Sequence, residues 1–136
     1  MAQYASGSGV VRGTPITLKA SGAETASTVG GAVATGPDSG SLYLEVNVTA
    51  SAGTSPTLLV KIEGSIDGTN WFTLGNIGAN GYNSGSVNGT APTNFTTTAG
   101  PIRAIFDLPQ YVRYNSTIGG SAGQSFTYSV TGVAGN

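Results

Sequence analysis

The sequence predicts an all-β domain, an antiparallel β-sandwich of the jelly-roll or immunoglobulin-like kind with seven to eight short strands. Three observations carry this expectation. Good helix formers such as Leu, Glu, Lys and Gln are scarce while Gly contributes 22 residues, so long helices have little to build from. Apolar residues recur with period two over several short runs. Turn-forming clusters separate those runs, and no helical stretch is left to cross between parallel neighbours.

Taken in order, residues 1–14 are expected to be a flexible N-terminal arm and residues 15–136 a single sandwich domain. Ile16-Thr17-Leu18-Lys19 reads as a first strand, and residues 21–40, small and polar, as irregular structure. In residues 42–49 the even positions Leu42, Leu44, Val46 and Val48 are aliphatic and face the core. Residues 57–66 alternate again, with Leu58, Val60, Ile62 and Ile66 on one side and Lys61, Glu63 and Ser65 on the other. Asp67-Gly68 is a hairpin-turn pair that leads into a strand at residues 70–74, so residues 42–74 read as a meander.

Residues 75–91, rich in Gly, Asn and Ser, predict a long exposed loop or weak hairpin. Further strands are expected over residues 94–98, 102–108, 111–118 and 125–133. Residues 51–60 align without gaps on residues 121–130 and agree at six of ten positions. Each copy follows an alternating strand, which predicts two similar hairpins placed equivalently in the two sheets.

Composition limits the chemistry. With no Cys there is no disulfide framework, thiolate metal site or cysteine nucleophile, and with no His the usual general base near neutral pH is missing. Five Lys and Arg against six Asp and Glu leave a formal charge of −1, so no nucleic-acid partner is expected. No stretch approaches the roughly 20 apolar residues of a membrane helix, and no export signal is visible. Charged residues make up 8% of the chain, against about 25% in an average domain. A surface so sparse in charge associates readily.

Candidate sites are few. Glu63 and Asp67 are the only carboxylates close in sequence, but Asp67 reads as a turn residue and Glu63 as the solvent face of its strand. A Ser-Lys dyad would need Lys19 or Lys61 to be buried, and nothing in the pattern buries either. No cofactor motif or metal-ligand set occurs. The sequons at Asn47, Asn88, Asn94 and Asn115 are the number a Thr- and Asn-rich chain produces by chance. Trp71, Phe106 and Phe126 are expected inside the sandwich, leaving Tyr43, Tyr82 and Tyr111 for the surface. Tyr4, Arg12, Tyr43 and Tyr82 are the residues expected to contact protein partners, since Tyr and Arg are enriched at binding hot spots.

The stretches Leu42-Tyr43-Leu44-Glu45-Val46-Asn47-Val48-Thr49-Ala50, Gly53-Thr54-Ser55-Pro56-Thr57-Leu58 and Lys61-Ile62-Glu63-Gly64-Ser65-Ile66-Asp67-Gly68-Thr69-Asn70-Trp71 together resemble small virion proteins of tailed bacteriophages. So do the Leu-Pro-x-Tyr-x-Arg-Tyr segment from Leu108 to Tyr114 and the closing Ser125-Phe126-Thr127-Tyr128-Ser129-Val130. The resemblance covers roughly residues 40–74 and 101–133 and rests mostly on turn chemistry and alternation. It implies a non-enzymatic head decoration or cement protein on the outer capsid surface. Its partners would be the major capsid protein and further copies of itself, with a trimer favoured. A tail-associated structural protein and a carbohydrate-binding sandwich module are the alternatives.

Overall fold

A computed structural model of the chain describes residues 13–36, 40–84 and 92–135. These residues form nine strands: β1 (Thr14–Glu24), β2 (Val33–Ala34), β3 (Ser41–Thr54), β4 (Thr57–Ser65), β5 (Trp71–Gly78), β6 (Gly81–Ser84), β7 (Ala99–Asp107), β8 (Tyr111–Gly119) and β9 (Ala122–Gly135). The alternation that marked residues 42–49 puts Leu42, Leu44, Val46 and Val48 inside, and Leu58, Val60, Ile62, Phe126, Tyr128 and Val130 join them in the same core. Burying each such side chain contributes about 1.5–3 kcal/mol, which is what holds the two layers together.

The strands form two antiparallel sheets, ordered β1-β9-β3-β7 and β2-β8-β4-β5-β6. Pairs form in nested order, β1 with β9, β2 with β8, β3 with β7 and β4 with β5. The pairings β3–β9 and β4–β8 then close each sheet. This is a long hairpin rolled onto itself, the strand order of a jelly roll, with β6 added as an extra strand beyond β5.

The predicted meander is corrected at its first connection. β3 and β4 lie in different sheets, so residues 54–57 form an arch rather than a hairpin; the hairpin is β4–β5. Gly53 and Ser55 adopt positive φ angles of 102° and 50° there, and Pro56 has no N–H to continue the ladder. The internal echo has the same outcome: β8 and β9 are also joined by an arch, running from the second sheet to the first. The two arches stack, with Ser121 N donating to Thr54 O at 2.9 Å. Equivalent positions share a role, since Leu58 and Tyr128, and Val60 and Val130, are all fully buried. Exchanging β3 with β8 and β4 with β9 maps the central pair of each sheet onto that of the other.

Other expectations shift as well. Among the described residues the strand count is nine rather than seven or eight, because the two-residue β2 was not expected and β6 is an arm of the weak hairpin. Residues 21–40 are not wholly irregular: β1 runs on to Glu24 through two register shifts, and Val29 bridges to Asn115. Within residues 75–84 the weak hairpin is realised, and Ile77 is fully buried in it. Residues 94–98 form no strand; Phe95 makes a single bridge to Leu58 and fills the core. Ile66 lies past the end of β4 and is 77% exposed rather than inward. β1 begins at Thr14, the last residue of the expected arm, and Tyr4 and Arg12 lie outside the described residues.

The arch geometry sets a testable asymmetry between two glycines that the echo makes equivalent. A Cβ on Gly53 would lie 2.6 Å from Gln124 Cα, whereas one on Gly123, at φ 62°, meets nothing within 4 Å. Gly123→Ala, strained by its φ alone, is expected to lower unfolding stability by about 1–2 kcal/mol, and Gly53→Ala, which adds a clash with the Gln124 backbone to the same strain, by clearly more, compared by denaturant titration.

Candidate interaction surface

The outer face of the first sheet is built by strand parity. Because Ile16, Leu44, Ala104 and Ala134 point inward, Pro15, Val133, Tyr43 and Ile105 point outward. Register places these four side by side: Pro15 opposite Val133, Val133 opposite Tyr43, and Tyr43 opposite Ile105. One apolar row therefore crosses the whole four-stranded sheet, with Tyr43 42% and Ile105 49% exposed. The next row is polar, Thr17, Thr131, Glu45 and Arg103, and ends in an ion pair in which Arg103 Nε donates to Glu45 Oε2 at 2.9 Å.

The apolar strip continues around the β7 edge. Tyr43, Ile105 and Val133 line a shallow depression of about 290 Å³ on the sheet face. Ile105 also lines a groove of about 440 Å³ behind β7, together with Phe72 and Leu74. Phe72 in turn borders the exposed Ile66 across a third hollow. Contiguous exposed apolar surface of this kind marks association sites. Tyr82, the other contact residue expected from sequence, stands at this edge but packs edge-on against Phe106, ring centroids 5.4 Å apart. Tyr43, Tyr82 and Tyr111 do not share a face: Tyr43 lies on the outside of the first sheet, Tyr111 on the outside of the second, and Tyr82 against Phe106 of the core.

The opposite face is occupied by its own side chains. Trp71, expected in the core, sits half-buried on the outside of the second sheet with the Arg113 guanidinium 4.1 Å from its ring centre. Arg113 Nε donates to Glu63 Oε1 at 2.7 Å, so Glu63 is on the predicted face but buried. Size suggested the interior for Trp71; its place in the alternation of β5 decides otherwise. Asp67 is the turn residue expected. Its carboxylate accepts from the backbone N–H groups of Asn70 and Thr69, from Asn70 Nδ2, all at 2.8 Å, and from Ser65 Oγ at 3.0 Å. Those bonds, the Asn70 N–H first, hold it well below the usual carboxylate range.

A polar node that sequence reading missed closes the side between β1 and β8. Glu24 accepts from the hydroxyls of Tyr128 at 2.6 Å, Tyr114 at 2.7 Å and Ser116 at 2.8 Å, and all three donors are buried. Lys19, expected in the open, is half-buried. Its Nζ donates to the carbonyls of Gly22 and Tyr128 and lies 4.2 Å from the Tyr128 ring centre. Burial lowers its pKa against the opposing pull of Glu24. Its partners are carbonyls and a ring rather than a serine, so the arrangement is a structural clasp. Among the described residues no group of three or more acidic, His or Cys side chains is placed to hold a metal.

No protein-family model, no curated protein and no solved structure matches this chain.

The Glu24 node predicts an alkaline limit to stability. Burial first, then the hydrogen bonds to Glu24, raise the phenol pKa of both Tyr114 and Tyr128 above the ordinary value. A raised pKa gives stability that is fully present below the unfolded value of about 10 and is lost as pH climbs above it. The denaturant midpoint should fall above about pH 10. Tyr128→Phe should fall less steeply there, while losing about 1–3 kcal/mol at neutral pH because a buried bond to a carboxylate is gone.

Proposed function

We propose that this domain is a non-enzymatic structural protein of a tailed-phage virion. In this reading it decorates the outer capsid surface, where it binds the major capsid protein and stabilises the head. The observation that carries the reading is the apolar row Pro15–Val133–Tyr43–Ile105, spanning one whole sheet face of a chain with 8% charged residues. Burying it against a protein surface is favourable by roughly 25 cal/mol per Å² of apolar area, before the cost of immobilising the partners.

Three further features support this reading. Jelly rolls are the architecture of many viral capsid and lectin domains, an analogy of fold and no more. The resemblance of residues 40–74 and 101–133 to tailed-phage virion proteins points the same way. The charged groups Glu63, Arg113, Glu24 and Lys19 are committed to internal partners, which leaves the row as the surface best suited to a partner. The three tyrosines that a sugar platform would need are dispersed over different faces, so the carbohydrate alternative gains nothing from the geometry.

The test is to mix the purified protein with expanded phage heads that lack it and to heat them. Bound heads should survive to a higher disruption temperature through binding linkage. Tyr43→Arg should keep its own thermal unfolding and bind roughly tenfold or more weakly, because removing an interface anchor costs about 1–4 kcal/mol. Heads that ignore the protein, or assembly with tails in their place, would refute the capsid reading.

A further inference from the structure

We infer that two copies of this chain join edge to edge through β7, in antiparallel register about a two-fold axis at Ile105. The occupant of the β7 edge is thus a second copy of the same strand.

Four strands end the two sheets: β1, β2, β6 and β7. β2 and β6 have two and four residues, and β1 is broken by two register shifts and carries Pro15 and Lys19, all devices that discourage pairing. β7 is different. Residues 102–107 pair without interruption with β3 on one side, and among the described residues no strand pairs with the other side. Ile105 borders both the depression on the sheet face and the groove that β7 forms with Phe72 and Leu74 of β5 and Ser84 of β6, so its side chain can be reached from both.

The side chains on this edge are complementary to themselves. Arg103, Ile105 and Asp107 all point outward and are exposed. Two of the eleven charges in the chain stand here, of opposite sign and equally spaced about Ile105. Asp107 has no ion-pair partner among the described residues. In an antiparallel pair centred on Ile105, each Arg103 faces the partner's Asp107, so the contact forms twice, and Ile105 faces its own copy. Directly opposed residues of opposite charge, and opposed β-branched residues, both stabilise such pairs. Each Arg103 then lies between Glu45 of its own chain and the partner's Asp107.

The consequence for the surface is continuity. The two four-residue rows meet at the axis and form one apolar strip of eight residues across an eight-stranded sheet. Pairing of the same patch on both copies is isologous and closes at two, so the product is a dimer and not the trimer that the family resemblance implies. Dimerisation through β7 does not depend on the virion reading: failure to bind phage heads would leave it untouched.

Sedimentation of the full chain over a wide concentration range tests it. The expected mass is twice the 13.5 kDa of one chain. Asp107→Arg, which sets like charges opposite each other at an exposed site, should weaken dimerisation at least about tenfold with an unchanged circular dichroism spectrum. The chain has no cysteine, so Ile105→Cys introduces a single thiol that should link into dimers under mild oxidation. Tyr43→Cys should not, since its two copies would stand about 14 Å apart, three strand spacings. A wild-type monomer at every concentration overturns the inference. So does an oligomer whose mass ignores Asp107→Arg, or an Ile105→Cys variant that stays unlinked under oxidation.

Discussion

The antiparallel pairing of β3 with β9 is the constraint on which the rest of the fold depends. It runs from Ser41 opposite Gly135 to Thr54 opposite Ala122, the longest register in the described residues. Both strands connect through arches to the other sheet, so it fixes the position of β4 beside β8 as well. Its inward residues, Leu42, Leu44, Val46 and Val48 from one strand and Phe126, Tyr128, Val130 and Ala134 from the other, are the centre of the core. Gly132, opposite Leu44 in this register, shows how tightly the pair is built: an added Cβ there would meet the Tyr43 carbonyl oxygen and Leu44 Cδ2.

The same pairing exposes the proposed interaction face. A strand that turns every second residue into the core turns the others out, so a fully apolar inner face dictates a matching outer ladder. Elsewhere that ladder is covered or polar. On the second sheet Trp71 and Arg113 lie over Glu63, and at the β1 end Lys19 and Glu24 tie the strand to Tyr128. On the first sheet the row from Pro15 to Ile105 has no cover among the described residues. With so few charges in the chain, little opposes its association.

Much of this was legible in the sequence, and the exceptions have definite causes. Period-two alternation identified β3, β4 and β9 with their inward residues, Ile66 excepted, because a half-buried strand must alternate, and it marked β8 as a strand. The echo between residues 51–60 and 121–130 marked the two arches, though sequence could not tell an arch from a hairpin: both need Gly, Ser and Pro, and only pairing across sheets separates them. β2, only Val33 and Ala34, and the extension of β1 to Glu24 through small residues were invisible, because both are held by long-range pairing rather than marked by their own pattern. Tyr43 was legible as a surface residue from its odd position in β3. Its neighbours Ile105, Val133 and Pro15 were not, since each comes from a different strand and only register brings them into line. The Glu24 node depends on hydroxyls from β8 and β9, distant in the chain and beyond any local signal.

The central claim is that the outer face of the first sheet is the surface that meets a partner. Oxidative footprinting of the protein free and bound to expanded phage heads tests it most directly. The account predicts that Tyr43, on that face, becomes protected on binding, while Trp71, on the opposite sheet beside Arg113, reacts as it does in the free protein. Protection of Trp71 with Tyr43 unchanged would contradict it.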